Sequence, residues 1–554
     1  MSNERKRTKE NNELENLENK PILKKKRKNN DDESDELEKE VLTIWSENRS
    51  KKINLKKKQE AIDEILEKLK GNLPKLVRKR PISRVIQFCL KNGTRKQKNA
   101  IKDEIIFKAL KIGKDRYGKF VLMQMLPKLD KDEIQKLLKR FQGKITKVCC
   151  HRYLSEVFNE IFPNKFSEQQ VKNIISEFYG KEYTNNKNNS LSELLEAFPK
   201  RRIEIMSFVK HHIKKIVSKE LVQQEAFHHV LREYVDVCND REMQTLCVIT
   251  EESFINLIHT KKGAYVATKL ITYFTPKQRK MAVKSISEYV PKLSKDKFGY
   301  FILCKLLSCV DDTVLLTNNI LKKFENILKE SCLDFYASKV LLLIISKEIH
   351  RQFSKENLAQ LQNIEIERTK KTEDGIVTEK VRCSKKDDET RKQELAAFIT
   401  KRLINISQEN ASEFILSQIG SQIIFELFKT VQSESIHPVY DKMTEIVLLK
   451  NIEYIEILNH SYGHRVIKQL IRLAPAFGAY LEKSLLETEK GELKKILTQL
   501  INSRGVFILL ALVERKKCKK NLKQLIANTL KRLNLQNINQ MKGVSILKRK
   551  VQLK

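Results

Sequence analysis

The stretches DRYGKFVLMQML (115–126), TKKGAYVATKLI (260–271), DKFGYFILCKLL (296–307) and SYGHRVIKQLI (461–471) are variants of one short helix. Each has a polar or basic lead, a glycine, two further residues and an apolar run. Aligned on the residue after the glycine or its substitute, the helix recurs at Ser83, Lys119, Ser155, Ser192, His228, Ala264, Tyr300 and Ser338. The steps are 36, 36, 37, 36, 36, 36 and 38 residues. Weaker copies follow at Ser421, His464 and Val506. A period this steady requires stacked helical units, because one such unit cannot bury its apolar side alone. The expected fold is all-α, a helical-repeat solenoid of about eleven repeats.

In ISRVIQFCL (82–90), Ser83, Arg84 and Gln87 lie within about 100° of one another around the helix. Val85, Ile86, Cys89 and Leu90 take the other side. The same division recurs, so positions one, two and five after the turn are expected to face outward. Positions three, four, seven and eight would carry the stacking between repeats.

Lysine and arginine total 108 against 70 acidic residues, a formal charge of +38. That excess points to a polyanionic partner, since a basic surface gains by releasing counterions from nucleic acid. The longest apolar runs, VLLLII (340–345) and VFILLALV (506–513), are too short to cross a bilayer. The first thirty residues are charged throughout, which argues against a secretory leader. Ten cysteines sit in apolar helical contexts without a CxxC pair, as reduced core thiols of an intracellular protein would.

Residues 1–40 are poor in apolar side chains and are expected to be disordered. Within them Lys24, Lys25, Lys26, Arg27 and Lys28 form a compact cluster of the kind import receptors read. Three repeat blocks follow, at 41–180, 181–360 and 396–554. The charged stretch ERTKKTEDGIVTEKVRCSKKDDETRK (367–392) is expected to be an exposed inserted loop, occupying about 361–395.

The motifs YGHRVIK (462–468) and ISRVIQ (82–87) resemble the signature helix of the Pumilio (PUF) repeat. The number of copies and the C-terminal block are similar to the divergent nucleolar Puf-A branch, which carries a CPL-type region; here that region would be 396–554. HTKKGAYVATKLITYFTPKQRK (259–280) and SCLDFYASKVLLLII (331–345) share that character. The resemblance implies a right-handed-type Pumilio/armadillo-like solenoid, bent or L-shaped. It also implies that positions one and five meet a base edge while position two stacks between bases.

Carried onto this chain, that code mostly fails. Ser83, Arg84 and Gln87 could recognise a base. Lys119, Phe120 and Met123 could not, nor could Tyr300, Phe301 and Cys304, since methionine and cysteine offer little to a base edge. Ser338, Lys339 and Leu342 fail at the last position, as do Ser421, Gln422 and Phe425. Val506, Phe507 and Leu510 present nothing polar. His228, His229 and Arg232, like His464, Arg465 and Lys468, suit phosphate or stacking contacts. Ser155, Glu156 and Asn159, and still more Ser192, Glu193 and Glu196, would repel a phosphate, and their acids are candidates for meeting a basic protein. Phe120, Tyr265, Phe301 and Phe507 could stack on bases of any sequence. Further basic patches lie at Lys200, Arg201, Arg202, Lys214 and Lys215, at the terminal KRKVQLK (548–554), and at Lys516, Lys520 and Lys523, which would form one helical stripe.

The sequence carries no phosphate-binding glycine pattern, no HExxH and no histidine–cysteine metal spacing, so neither enzyme, cofactor nor metal is expected. The leading expectation is a monomeric, non-membrane RNA-binding scaffold of the nucleus and nucleolus with little sequence preference. The resemblance implies large-subunit pre-rRNA and ribosomal proteins or assembly factors as partners, with mRNA and DNA as further candidates. Two rivals are a sequence-specific mRNA regulator and a helical-repeat protein adaptor of the importin or HEAT kind.

Overall fold

The computed structural model describes residues 35–183, 190–372, 375–533 and 542–552. The chain is mostly helical and divides into two compact units, 1–237 and 238–554.

In the first unit the recurrent helix appears as Arg80–Asn92, Gly118–Met125, Arg152–Asn159, Leu191–Ala197 and Glu225–Val237. Partner helices Arg95–Ile106, Lys131–Phe141, Glu168–Ser176 and Arg202–Val217 alternate with them. In the second unit it appears as Lys261–Tyr273, Gly299–Cys309, Ala337–Ile345, Gln418–Thr430, Gly463–Leu473 and Val506–Val513. Five and six make the eleven copies that the period predicts. Within the second unit each recurrent helix packs on the next in chain order, which is how the shared apolar side is buried.

Local chemistry punctuates every unit. Five of the partner helices open with capping boxes, Thr94/Gln97, Asp130/Glu133, Ser167/Gln170, Asn239/Glu242 and Thr275/Gln278. In each, both residues satisfy a free backbone N–H of the first turn. Three of the recurrent helices open on an aspartate turn. The Asp115 Oδ1 accepts from the Tyr117 and Gly118 amides, Asp296 from Phe298 and Gly299, and Asp334 from Tyr336 and Ala337. This side-chain turn brings the helix start against the carbonyl end of the preceding helix. A Cβ on Gly463 would stand 2.1 Å from the Ile457 carbonyl oxygen. Gly463→Ala is therefore expected to destabilise the second unit by about 1–3 kcal/mol, measured by urea unfolding.

Residues 367–392 are not a loop. Glu365–Thr372 and Gly375–Arg382 form an antiparallel hairpin in the register Glu365↔Arg382 to Thr372↔Gly375. It is anchored to the Asp240–Thr250 helix, where Asp240 accepts from the Glu367 amide at 2.6 Å and Ile366 is buried. Its charge pattern hid the strands, because Ile366 is the one apolar residue in Glu365–Thr372.

Buried cations then close the C-terminal ends of three recurrent helices, where unpaired carbonyls and the helix dipole favour positive charge. Arg279 donates to the carbonyls of Ile271, Thr272, Cys309 and Cys383. Arg368 donates to the Phe274 carbonyl. Arg391, 2% exposed, donates to those of Ser308, Val310 and Lys386 and to Asp388. Lys392 bonds the Ser346 carbonyl.

The segment expected to be disordered overlaps the described chain from residue 35, where a helix spans 35–48. It is held by Val41, fully buried, and by ion pairs of Asp35 and Glu38 with Lys79. The cluster Lys24–Lys28 lies outside the described residues, as does the end of KRKVQLK. No single helix among the described residues is long and apolar enough to cross a membrane.

Eight of the ten cysteines are buried. Burial pushes the thiols of Cys89, Cys247 and Cys332 up to about 12. Native labelling with iodoacetamide should therefore reach the half-exposed Cys238 and Cys518 first, and the other eight only after unfolding. Mass spectrometry of the labelled protein reads the difference.

Candidate nucleic-acid interface

In nine of the eleven copies position one does not face outward. Ser83, Ser155, His228, Ser338 and Ser421 are at most 2% exposed, and Ala264, Tyr300, His464 and Val506 are also buried. The angles explain it. Positions three, four, seven and eight span about 200–340° around the helix, which leaves position one, at 0°, only about 20° from the apolar arc. Four copies use it as a joint to the aromatic residue two places before position one of the next. The Ser83 Oγ donates to the Tyr117 carbonyl at 2.8 Å, and the Lys119 ammonium sits 5.1 Å from the Tyr153 ring centroid. Tyr300 meets Tyr336 at 5.2 Å, and the Ser421 hydroxyl meets that of Tyr462 at 3.4 Å.

Several candidate contacts are thereby consumed. Gln87 donates to the Ser83 Oγ. His228 is wholly buried with Nε2 at 2.9 Å from the Val222 carbonyl, His229 packs edge-on to Phe162 at 5.1 Å, and Arg232 pairs with Asp236. The two imidazoles are thereby withdrawn from the surface, and Arg232, partly exposed, is shared with Asp236. Asn159 holds the Glu225 amide, and Glu196 accepts from Ser192. Glu156 pairs with Lys119, so an acid read as repelling phosphate instead neutralises a neighbouring cation.

The basic patches divide in the same way. Arg201 is tied to Glu182 and Glu204, and Arg202 donates to the Val237 carbonyl, whereas Lys200, Lys214 and Lys215 are exposed without ion pairs among the described residues. Lys516 lies in the turn before the Lys520–Arg532 helix, so it shares no helical stripe with Lys520 and Lys523. Arg84 is exposed and unpaired among the described residues; Lys339 lies 4.2 Å from the Phe335 ring centroid. Phe120 is 46% exposed, while Tyr265 and Phe301 are half-buried.

A cluster of positive charge surrounds position one of the copy at 464. The His464 imidazole stacks on Phe507, with centroids 5.7 Å apart and planes 28° from parallel. Lys468 lies 5.4 Å from the same phenyl ring. Burial lowers the His464 pKa, and the charges of Arg504, Arg465 and Lys468 lower it further, against the opposing effect of the His460 carbonyl at Nδ1. That depression reports the local field, since like charges disfavour the imidazolium. None of Arg465, Lys468 or Arg504 is ion-paired among the described residues.

A second pattern was not read from the sequence. Arg116 lies over Tyr117, Arg152 over Tyr153 and Lys297 over Phe298, at 5.8, 5.9 and 5.6 Å. Each is a cation–ring dipeptide at the entry of a recurrent helix, and none of the three cations is ion-paired among the described residues. The dipeptides RY, RY and KF just ahead of position one were the available signal. Such pairs offer a phosphate contact and a ring face together, at the end of the helix that favours anions.

Helices interlocked at a 36-residue period and entered through an aromatic–glycine turn define a Pumilio-type α-helical repeat protein. Comparison bears this out. Residues 83–106 match the Pumilio-family RNA binding repeat, and residues 333–474 match the CPL (NUC119) domain. Over those residues the chain resembles Pumilio-repeat proteins that carry a CPL domain. It is 26% identical over 488 residues to Pumilio homology domain family member 6 of Schizosaccharomyces pombe, covering 85% of this chain and 74% of that one. It is 23% identical to Pumilio homolog 24 of Arabidopsis thaliana, covering 85% and 82%. Its fold matches the crystal structure of human Puf-A in complex with DNA with a TM-score of 0.78 at 22% identity, over 93% of this chain and 99% of that one. The CPL match begins at 333, not at 396, and so takes in the Ala337–Ile345 helix and the hairpin.

Proposed function

We propose that this protein is a non-catalytic scaffold that binds nucleic acid, RNA foremost, with little regard to sequence, and that it serves nucleolar assembly of the large ribosomal subunit. The observation that carries the binding mode is the convergence of Arg465, Lys468 and Arg504 on the His464–Phe507 pair without a paired carboxylate. Cations placed this way hold phosphates, and a ring stack accepts any base. Human Puf-A, whose fold is similar, has been solved in complex with DNA, which supports nucleic-acid binding for a fold of this kind. The ribosomal role extends the resemblance to the nucleolar branch of the family, and the nuclear address rests on Lys24–Lys28.

Specific readout of a message has less support. The best-preserved triplet, Ser83, Arg84 and Gln87, spends two of its three polar groups on Tyr117 and on each other. Binding of the full chain to unrelated single-stranded RNAs at one salt concentration tests the choice. Affinities within about threefold of one another are expected, whereas a cognate sequence preferred by 1,000-fold or more, in the range of specific nucleic-acid readers, would establish the rival. A negligible affinity for every RNA at low salt would leave the protein-adaptor reading instead.

A further inference from the structure

A cavity of about 330 Å³ opens in the second unit at the C-terminal ends of two recurrent helices. Its apolar walls are Leu307 from Gly299–Cys309, Leu343 and Ile344 from Ala337–Ile345, Leu358 and Leu361 from Lys355–Leu361, and Leu395 from Asp388–Glu409. The cation–ring groups Lys297, Phe298 and Phe335 sit at the opposite, N-terminal ends of those same two helices. Nine helical residues separate the ends by about 13 Å.

The charges at the mouth are sorted by direction. Arg391 and Lys392 turn inward onto backbone carbonyls, so their positive charge is committed to the fold. Asp388 is fixed at the rim by Asn363 and Arg391, yet its side chain stays 57% exposed. Glu389 is exposed and has no ion pair among the described residues. A phosphate entering here would meet two carboxylates, in a chain whose net charge is otherwise strongly positive. The small apolar volume suits one large side chain, the kind of pocket that seats an interface anchor.

We infer that this cavity is a docking site for a basic partner polypeptide, which inserts one leucine-sized or aromatic side chain and sets a neighbouring lysine or arginine against Asp388 and Glu389. The site stands independently of nucleic-acid binding. Because it lies at the other end of the helices, both partners can be held at once.

The test uses the full chain and a short fluorescein-labelled peptide with one central tryptophan between lysine pairs, followed by fluorescence polarisation. Controls replace the tryptophan by alanine, replace the lysines by glutamates, or offer free indole as competitor. The tryptophan–lysine peptide should bind about tenfold tighter than either peptide control. Glu389→Lys should weaken it by about fivefold, as for an exposed ion pair. Leu358→Trp should fill the cavity and abolish binding, with the thermal melt confirming that this variant folds. Both variants should bind single-stranded RNA as the parent does. No peptide binding, binding indifferent to the central residue or to Glu389→Lys, full competition by indole at the peptide's own affinity, or a parallel loss of RNA binding would each overturn the inference. Because Glu389→Lys alters only an exposed side chain, the outcome is decisive even if Leu358→Trp melts.

Discussion

Replacing Arg465, Lys468 and Arg504 together by alanine is expected to lower affinity for single-stranded RNA by on the order of 100-fold at 0.1 M salt, equally for unrelated sequences. Each phosphate contact to a single strand contributes roughly 0.7 to the slope of log affinity against log salt, so three contacts contribute about 2. Over the one decade from 1 M to 0.1 M salt, that slope becomes about two orders of magnitude. Arg465 and Lys468 lie on the Gly463–Leu473 helix and Arg504 in the turn before Val506–Val513, and none is ion-paired among the described residues, so the fold should survive their removal. Filter binding or polarisation at several salt concentrations reads the loss. A decrease confined to one RNA sequence would mean that these side chains read bases, and no decrease would mean that phosphates pass elsewhere.

Arg391→Ala is expected to destabilise the second unit by about 3–5 kcal/mol, the range seen when one partner of a buried charged network is removed. The guanidinium closes three carbonyls, those of Ser308, Val310 and Lys386, and is itself held by Asp388. After truncation these acceptors lose their common donor, and the segment after the hairpin loses its attachment to the C-terminal end of the Gly299–Cys309 helix. Urea unfolding should show the loss, and hydrogen exchange should show residues 383–391 opening first. A loss below about 1 kcal/mol would mean that the acceptors find water, and that the guanidinium is dispensable. Arg391→Lys should recover only part, because a single ammonium cannot span the same carbonyls.

What could be read in advance depended on whether a property repeats. The 36-residue step survives every local irregularity, because stacking selects the apolar side of each copy against its neighbours. It gave the positions of Gly118, Gly299 and Gly463 and the helical architecture. Position one was misassigned because its angle borders the apolar arc, and only the next repeat decides whether a serine there meets solvent, as Ser192 does, or a tyrosine carbonyl, as Ser83 does. Arg391, inside DDETRK, is indistinguishable from its solvated neighbours until the carbonyls of Ser308 and Val310, some eighty residues earlier, are brought to it. The cluster at His464 was legible as a triplet, but Arg504 and Phe507 belong to the following repeat and join it through packing alone. The cation–ring dipeptides at 116, 152 and 297 stand in the sequence ahead of the recurrent helix, outside the positions that the repeat signature marks.

The most direct measurement is the dependence of binding on salt for two unrelated single-stranded RNAs of equal length. A cationic surface that grips phosphates predicts parallel, steep log–log lines, each losing about 2 units of slope in the Arg465/Lys468/Arg504 alanine variant. Shallow lines unchanged by that variant, or lines separated by several orders of magnitude between the two RNAs, would contradict it.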